Sequence, residues 1–202
     1  MLAKNAHLSL VLLIMATATA AALTVPHAYG WVVVAASAMG MTATFLGGGV
    51  SAARQKLFGK EFEERADVKA IKAEIMAAFP HHKPITDGYP DMGAGVFARL
   101  LKPAEWYEFN LAQRAHHNTL EFLTFAITMV LTAGLFQPEA AAACGVVFCI
   151  GRVMLARGYT RLGPNGRFPG GPISMIPMMG LLGVNLFYGF KHGLIGAGAI
   201  SA

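Results

Sequence analysis

The chain has 202 residues, of which 55% are hydrophobic and only 13% charged, about half the charged share of an ordinary soluble domain. The net charge is +5, but the basic residues flank apolar runs instead of forming one basic face, which argues against a nucleic-acid-binding domain and for lipid. The apolar residues stand in runs longer than a soluble core needs.

The first run, Leu8–Val25, follows a short segment with one lysine and ends in Ala-rich sequence before Pro26. It reads either as a signal peptide with an Ala-x-Ala cut or as a signal anchor. Residues 1–28 are therefore set apart from a domain at 29–195, with a tail at 196–202. Four further stretches suit membrane spans: Trp31–Val50, Phe122–Phe136, Ala140–Leu155 and Ile173–Phe190. A crossing helix needs about 20 residues, and the middle two reach that length only through their polar ends. Gln137-Pro138-Glu139 makes those two an antiparallel hairpin. The fold class predicted is an all-α membrane protein with a four-helix transmembrane bundle and an extra N-terminal apolar segment.

Arg54, Lys56 and Lys60 follow the first of these spans, and Arg157, Arg161 and Arg167 follow the third. Both basic loops are expected on the cytosolic side, with the mature N-terminus and the C-terminus in the lumen. If Leu8–Val25 remains as a span, the N-terminus is cytosolic as well. Between the first two spans, Glu61–Phe79 has the spacing of an amphipathic helix, with Val68, Ile71, Ile75 and Phe79 on one face. Such a helix either lies on the membrane surface or packs on its own protein. Pro80, Pro84, Gly88 and Pro90 then break regular structure. Cys144 and Cys149 point different ways on one helix, so no disulfide joins them.

Residues 109–121 carry the chemistry. Asn110, Arg114, His117, Asn118 and Glu121 fall within an arc of about 100° on a helix that runs straight into an apolar span. Ionisable groups at membrane depth are costly and face the interior of a bundle, where they mark a site. The bland alternative is an Arg114–Glu121 pair that only ties helices together. In the third span Arg152, Leu155 and Tyr159 share a face, and Arg167 sits in a turn-rich loop after it. Guanidiniums converging there would suit a ligand with carboxylates, because each offers a fixed fork of donors. His117 and Glu121 have metal-ligand spacing, but no second cluster completes a site, and no metal is expected.

Phe109-Asn110-x-x-Gln113-Arg114-Ala115-His116-x-Asn118-Thr119-Leu120-Glu121, Gly151-Arg152-Val153, Gly158-Tyr159 and Val50-Ser51-x-Ala53-Arg54 resemble the MAPEG family, the membrane-associated proteins of eicosanoid and glutathione metabolism. The likeness runs from Tyr29 to about His192 and is nearest to the type-three microsomal glutathione S-transferases. It implies four transmembrane helices per subunit, a homotrimer, and glutathione as co-substrate at each subunit interface near the cytosolic side. It also implies a lipophilic substrate drawn from the membrane lipid, with the endoplasmic reticulum as the expected location. By this resemblance Arg114, His116, Asn118, Glu121, Arg152 and Tyr159 bind glutathione, and Arg54 adds a carboxylate clamp from a neighbouring first helix. Arg167 would stabilise the thiolate, in a loop one residue longer than in leukotriene-forming relatives. The activity implied is glutathione transfer or glutathione-dependent peroxide reduction.

Three departures stand out. Phe122 and Leu155 replace tyrosines common in relatives, Gln55 replaces a second arginine, and an insertion occupies residues 59–86. The alternative function is a non-catalytic lipid-binding scaffold on the same fold. A transporter is disfavoured because the broken-helix repeats of that class are missing.

Overall fold

The structure is a computed structural model that describes residues 25–197. The expected signal or anchor segment and the tail beyond Ala197 lie outside the described residues. Four long helices dominate: α1 (Tyr29–Leu57), α4 (Pro103–Ala133), α5 (Pro138–Leu162) and α6 (Gly170–Gly196), with two short helices, α2 (Lys60–Glu63) and α3 (Ala66–Ala78), between the first two.

Three of the long helices are long and apolar enough to cross a membrane: α1, α5 and α6 together with the turn before it. The expected fourth, α4, is the longest at 31 residues, about 46 Å at 1.5 Å per residue. It falls short in apolarity because the polar stripe at 110–121 occupies its middle. Its sequence explains its start: Pro103 at the first helical position supplies a preset φ, and the Glu105 carboxylate accepts the Lys102 N–H at 2.9 Å.

The long helices run alternately up and down. Tyr29 at the start of α1 donates its hydroxyl to the Leu131 carbonyl near the end of α4, and Lys56 at the end of α1 meets Glu108 near the start of α4. The core between them is drawn from all four helices, with Val32 and Met39, Val130 and Ala133, Phe148, and Met178 and Leu181 buried together. Trp31, Phe45 and Phe187 stay well exposed on the outside, as lipid-facing side chains do. One end of the bundle gathers Arg54, Lys56, Lys102, Arg161 and Arg167, so the positive charge lies on one side as the sequence requires.

The segment between α1 and α4 closes over that basic end. The amphipathic helix expected over Glu61–Phe79 is broken at Glu64 and Arg65. Arg65 is extended there, with ψ 140°, because its guanidinium forks onto Asp67 and reaches the Leu100 carbonyl at 2.8 Å. Phe62 thereby turns inward onto Phe58, whose ring also meets Phe109 edge-on at 5.0 Å. Val68 is fully buried, with Ile71 and Ile75 packed beside it. Of the two readings of this helix, packing on its own protein is the one the structure shows.

Residues 86–101 then cross the end as a strap. Gly88 has φ +66°, and a Cβ there would stand 2.4 Å from the Phe58 ring, so the strap's backbone lies directly on it. Asp91 fixes the next turn. Its buried carboxylate accepts N–H groups from Gly93 (2.8 Å), Gly95 (2.8 Å) and Ala98 (2.7 Å). Burial alone would raise its pKa, but these N–H donors outweigh it and hold the carboxyl below its ordinary value.

Candidate functional site

Arg152 on α5 is the most unusual charge in the bundle. It is 1% exposed, and no carboxylate of the described residues lies within ion-pair distance of it. One terminal nitrogen donates to the Asn118 side-chain oxygen at 2.8 Å and to the Asn118 carbonyl at 3.2 Å. The other donates to the Met175 sulfur at 3.3 Å, and its Nε has no partner. The rings of Phe122 and Phe148 lie 4.8 and 4.9 Å from its guanidinium carbon. Neutral acceptors and ring faces soften the burial of a cation, but an orphan N–H in a dry place is costly.

Around it, α4 presents Arg114 and Glu121. They pair at 3.4 Å, and each side chain is about half exposed, 53% and 51%, so the pair is weak and open to exchange. Asn118 stands between them on the same face and already holds Arg152. The structure thus brings together Arg114, Asn118, Glu121 and Arg152, and adds Met175 and Phe122 as neighbours. No local signal in the sequence marks Met175 as an acceptor.

Arg167 is positioned by glycines. Gly163 reverses the chain after α5 with φ +75°. A Cβ on Gly158 would stand 1.9 Å from the Gly166 carbonyl oxygen, and one on Gly166 2.0 Å from that of Gly158. Only backbone fits in that contact, and it clamps the Pro164–Arg167 turn against α5. Farther along, Cβ atoms on Gly151 and Gly170 would meet Ser174 N at 2.6 Å and Leu155 N at 2.3 Å, so α5 and α6 touch backbone to backbone. Arg167 itself is exposed, with its guanidinium 5.6 Å from the Phe168 ring. Tyr159 is half-buried on the Arg152 face of α5. Neither is hydrogen-bonded to Arg152.

Two expected contributors stand elsewhere. Arg54 is 3% exposed under the strap. It donates to the carbonyls of Asp87 (3.2 Å) and Asp91 (2.5 Å), and its guanidinium lies 4.0 Å from the Tyr89 centroid and 5.0 Å from that of Phe109. Within one chain the Arg54 guanidinium is thus taken up by the strap, which supplies both carbonyls and the Tyr89 ring, and by Phe109 of α4. His116 points at α1, where a Cβ on Gly47 would stand 3.0 Å from its ring. Two residues from Arg114 on a helix, it faces nearly the opposite way. Its buried Nε2 has no partner, nor has Nε2 of the buried Gln113. Asn110, part of the predicted stripe, is held by the Gly93 and Trp106 carbonyls.

Residues 13–187 match the family model of the MAPEG family. The chain belongs to the MAPEG family. That match covers most of its length, and with the three apolar helices it makes the protein an integral membrane protein. MAPEG proteins include membrane glutathione transferases and related lipid-metabolising enzymes that use glutathione as a substrate. The Arg152–Asn118 group therefore lies in a family whose substrate carries two carboxylates and a thiol. Among the described residues no cluster of His, Cys, Asp and Glu has the makings of a metal site.

Proposed function

We propose that the protein is a membrane glutathione S-transferase, with glutathione-dependent peroxidase activity, acting on lipophilic electrophiles or lipid hydroperoxides. The observation that carries this reading is Arg152, a buried guanidinium with an unpartnered Nε and no carboxylate in ion-pair contact, the neighbouring Glu121 being paired with Arg114. Such a group is a receptor for an anion, because a carboxylate would satisfy the orphan donor and the charge together. In this reading Arg152 and Arg114 take the carboxylates of glutathione, while Glu121 and Asn118 take its amine and amide groups. Tyr159 closes the same side from α5. Glu121 exchanges its loose contact with Arg114 for the ligand's ammonium, which frees Arg114 at little cost.

A thiol of pKa about 8.5 is mostly protonated at neutral pH. Arg167, fixed at the mouth by the Gly158–Gly166 contact, is the cation that favours the thiolate. The thiolate then attacks an electrophilic carbon that arrives sideways through the bilayer and displaces its leaving group. With a lipid hydroperoxide it attacks the terminal oxygen instead, breaking the O–O bond to release the lipid alcohol and leave a glutathione sulfenic acid, which a second glutathione converts to the disulfide and water. No protein nucleophile is needed. Four transmembrane helices per subunit, a homotrimer, a cytosolic basic end and residence in the endoplasmic reticulum complete the proposal. Arg54 of a neighbouring first helix and His116 complete the glutathione contacts at the subunit interface in this reading, since within one chain both lie apart from the Arg152 group.

The test is a glutathione titration of the purified protein in detergent, following thiolate absorbance in the ultraviolet, beside Arg167→Ala and Arg152→Leu. Saturable absorbance that Arg167→Ala loses, and binding that Arg152→Leu loses, are the expected results. Absence of glutathione binding with retained fatty-acid binding would instead establish the lipid scaffold.

A further inference from the structure

We propose that the outside of the α1–α4 seam carries a second ligand site, which takes an anionic phospholipid from the surrounding bilayer. Three hollows lie end to end along it. At the basic end a hollow of about 520 Å³ is bounded by Lys56, Lys60, Arg65 and Lys102, with Glu61 and Glu105 as its acids. Through Lys56 it joins one of about 330 Å³ walled by Ala52, Ala53, Leu111 and Ala112. Gly49, Ala112 and Thr160 are shared in turn with a third of about 190 Å³, which extends to Phe45 and Ala156. The shared residues make one groove, cationic at its mouth and largely apolar along its length, where α5 adds Ala156, Thr160 and the further cation Arg157 to the wall.

The sequence builds this groove by helical spacing. Phe45, Gly49, Ala52 and Lys56 form one stripe on α1, and Glu108, Leu111, Ala112 and Ala115 form its counterpart on α4. Small residues on both keep the seam hollow. From Lys56 to Phe45 is eleven residues, about 16 Å of helix, which matches half of a hydrocarbon core about 30 Å thick. Trp106 and Tyr107, both part-exposed one turn above Lys102, are the aromatic pair expected at headgroup depth. The mouth thus lies at the level of lipid phosphates and the groove at the level of their acyl chains.

The charges at the mouth are also unevenly committed. Glu105 is used by the Lys102 N–H, Glu108 by Lys56, and Arg65 by Asp67. Lys60 makes no ion pair among the described residues, and Lys102 is 82% exposed with its nearest carboxylate at 3.9 Å. Two ammonium groups therefore remain for an incoming phosphate. A free phosphate would satisfy them but leave the apolar groove empty, and a zwitterionic lipid would fill the groove but bring its own cation to the mouth. The Arg114–Glu121 stripe faces more than 90° away around α4, so this site and the glutathione site can fail separately.

The experiment uses the full chain, purified and stripped of lipid in detergent. Dioleoylphosphatidylglycerol, dioleoylphosphatidylcholine and inorganic phosphate are each titrated, read by native mass spectrometry and by thermal melting. The expected result is saturable retention of phosphatidylglycerol, with phosphatidylcholine at least tenfold weaker. Lys60→Gln with Lys102→Gln should lower that affinity tenfold or more, since each juxtamembrane lysine is worth about fivefold. Gly49→Leu, whose side chain enters open space, should block both lipids, and neither variant should change glutathione affinity. Equal retention of the two lipids, displacement by inorganic phosphate, or lysine variants that bind as the parent does would each overturn the proposal.

Discussion

Removing the Asp91 carboxylate should open the strap over the basic end while leaving the long helices folded. Its two oxygens take three backbone N–H groups at 2.7 to 2.8 Å in a buried turn. A hydrogen bond to a charged group contributes about 1.5–3 kcal/mol, and buried donors left without a partner cost about 1–3 kcal/mol each. Because the three share one carboxylate, their loss is not additive, and Asp91→Ala should weaken the strap locally by about 3–5 kcal/mol. Asp91→Asn keeps an oxygen for Gly93 and Gly95 and loses only the Ala98 contact, so about 1.5–3 kcal/mol is expected. The assay is amide hydrogen exchange over residues 86–101, where protection should fall by roughly two to three orders of magnitude in the alanine variant and less in the asparagine one. The pH dependence follows from the same contacts. The folded pKa is depressed below the unfolded value of about 3.9, so this stabilisation is complete above that value and is lost as pH falls through the lower, folded one. Wild-type protection of the strap in Asp91→Ala would falsify the account of this turn.

Other perturbations probe the site itself. Gly158→Ala drives a methyl group into the Gly166 carbonyl, backbone against backbone with no rotamer to yield; a loss of at least 1–3 kcal/mol in thermal stability, with thiolate formation impaired, is expected. Arg152→Lys keeps the charge but cannot reach Asn118 and a ligand carboxylate with one fork, so glutathione affinity measured by calorimetry should fall tenfold or more. Phe122→Tyr adds a hydroxyl beside Arg152; one new hydrogen bond, about 0.5–1.5 kcal/mol, should tighten glutathione binding two- to tenfold, and a weaker affinity would show that the ring does not face the ligand. Arg167→Ala should leave binding nearly intact but abolish the thiolate signal at neutral pH, separating activation from recognition.

The parts legible in the sequence were those written as local periodicity. The three apolar helices and the polar face of α4 follow from spacing alone, and the Arg152–Asn118 contact joins two residues that spacing had already placed on inward faces. Arg54 was not legible, because its partners are main-chain carbonyls 33 and 37 residues away, and every residue has a carbonyl. The break at Glu64 and Arg65 was hidden for a related reason. The apolar spacing runs through it unchanged, while the cause is a tertiary grip of Arg65 on Leu100. Gly158 and Gly166 look like ordinary turn and helix glycines until the two backbones are seen to touch.

On the proposed reading, the unpartnered Nε of the buried Arg152 guanidinium also makes folding and loading one coupled equilibrium. Emptied of any anion, the chain keeps a dry charge in its folded state that the unfolded state would hydrate, so the empty form is its least robust. Glutathione at a hundred times its dissociation constant would add about 2.7 kcal/mol to the folded state. On the proposed glutathione reading the melting temperature of the purified protein is itself a binding assay, and preparations stripped of glutathione should lose activity on storage sooner than loaded ones.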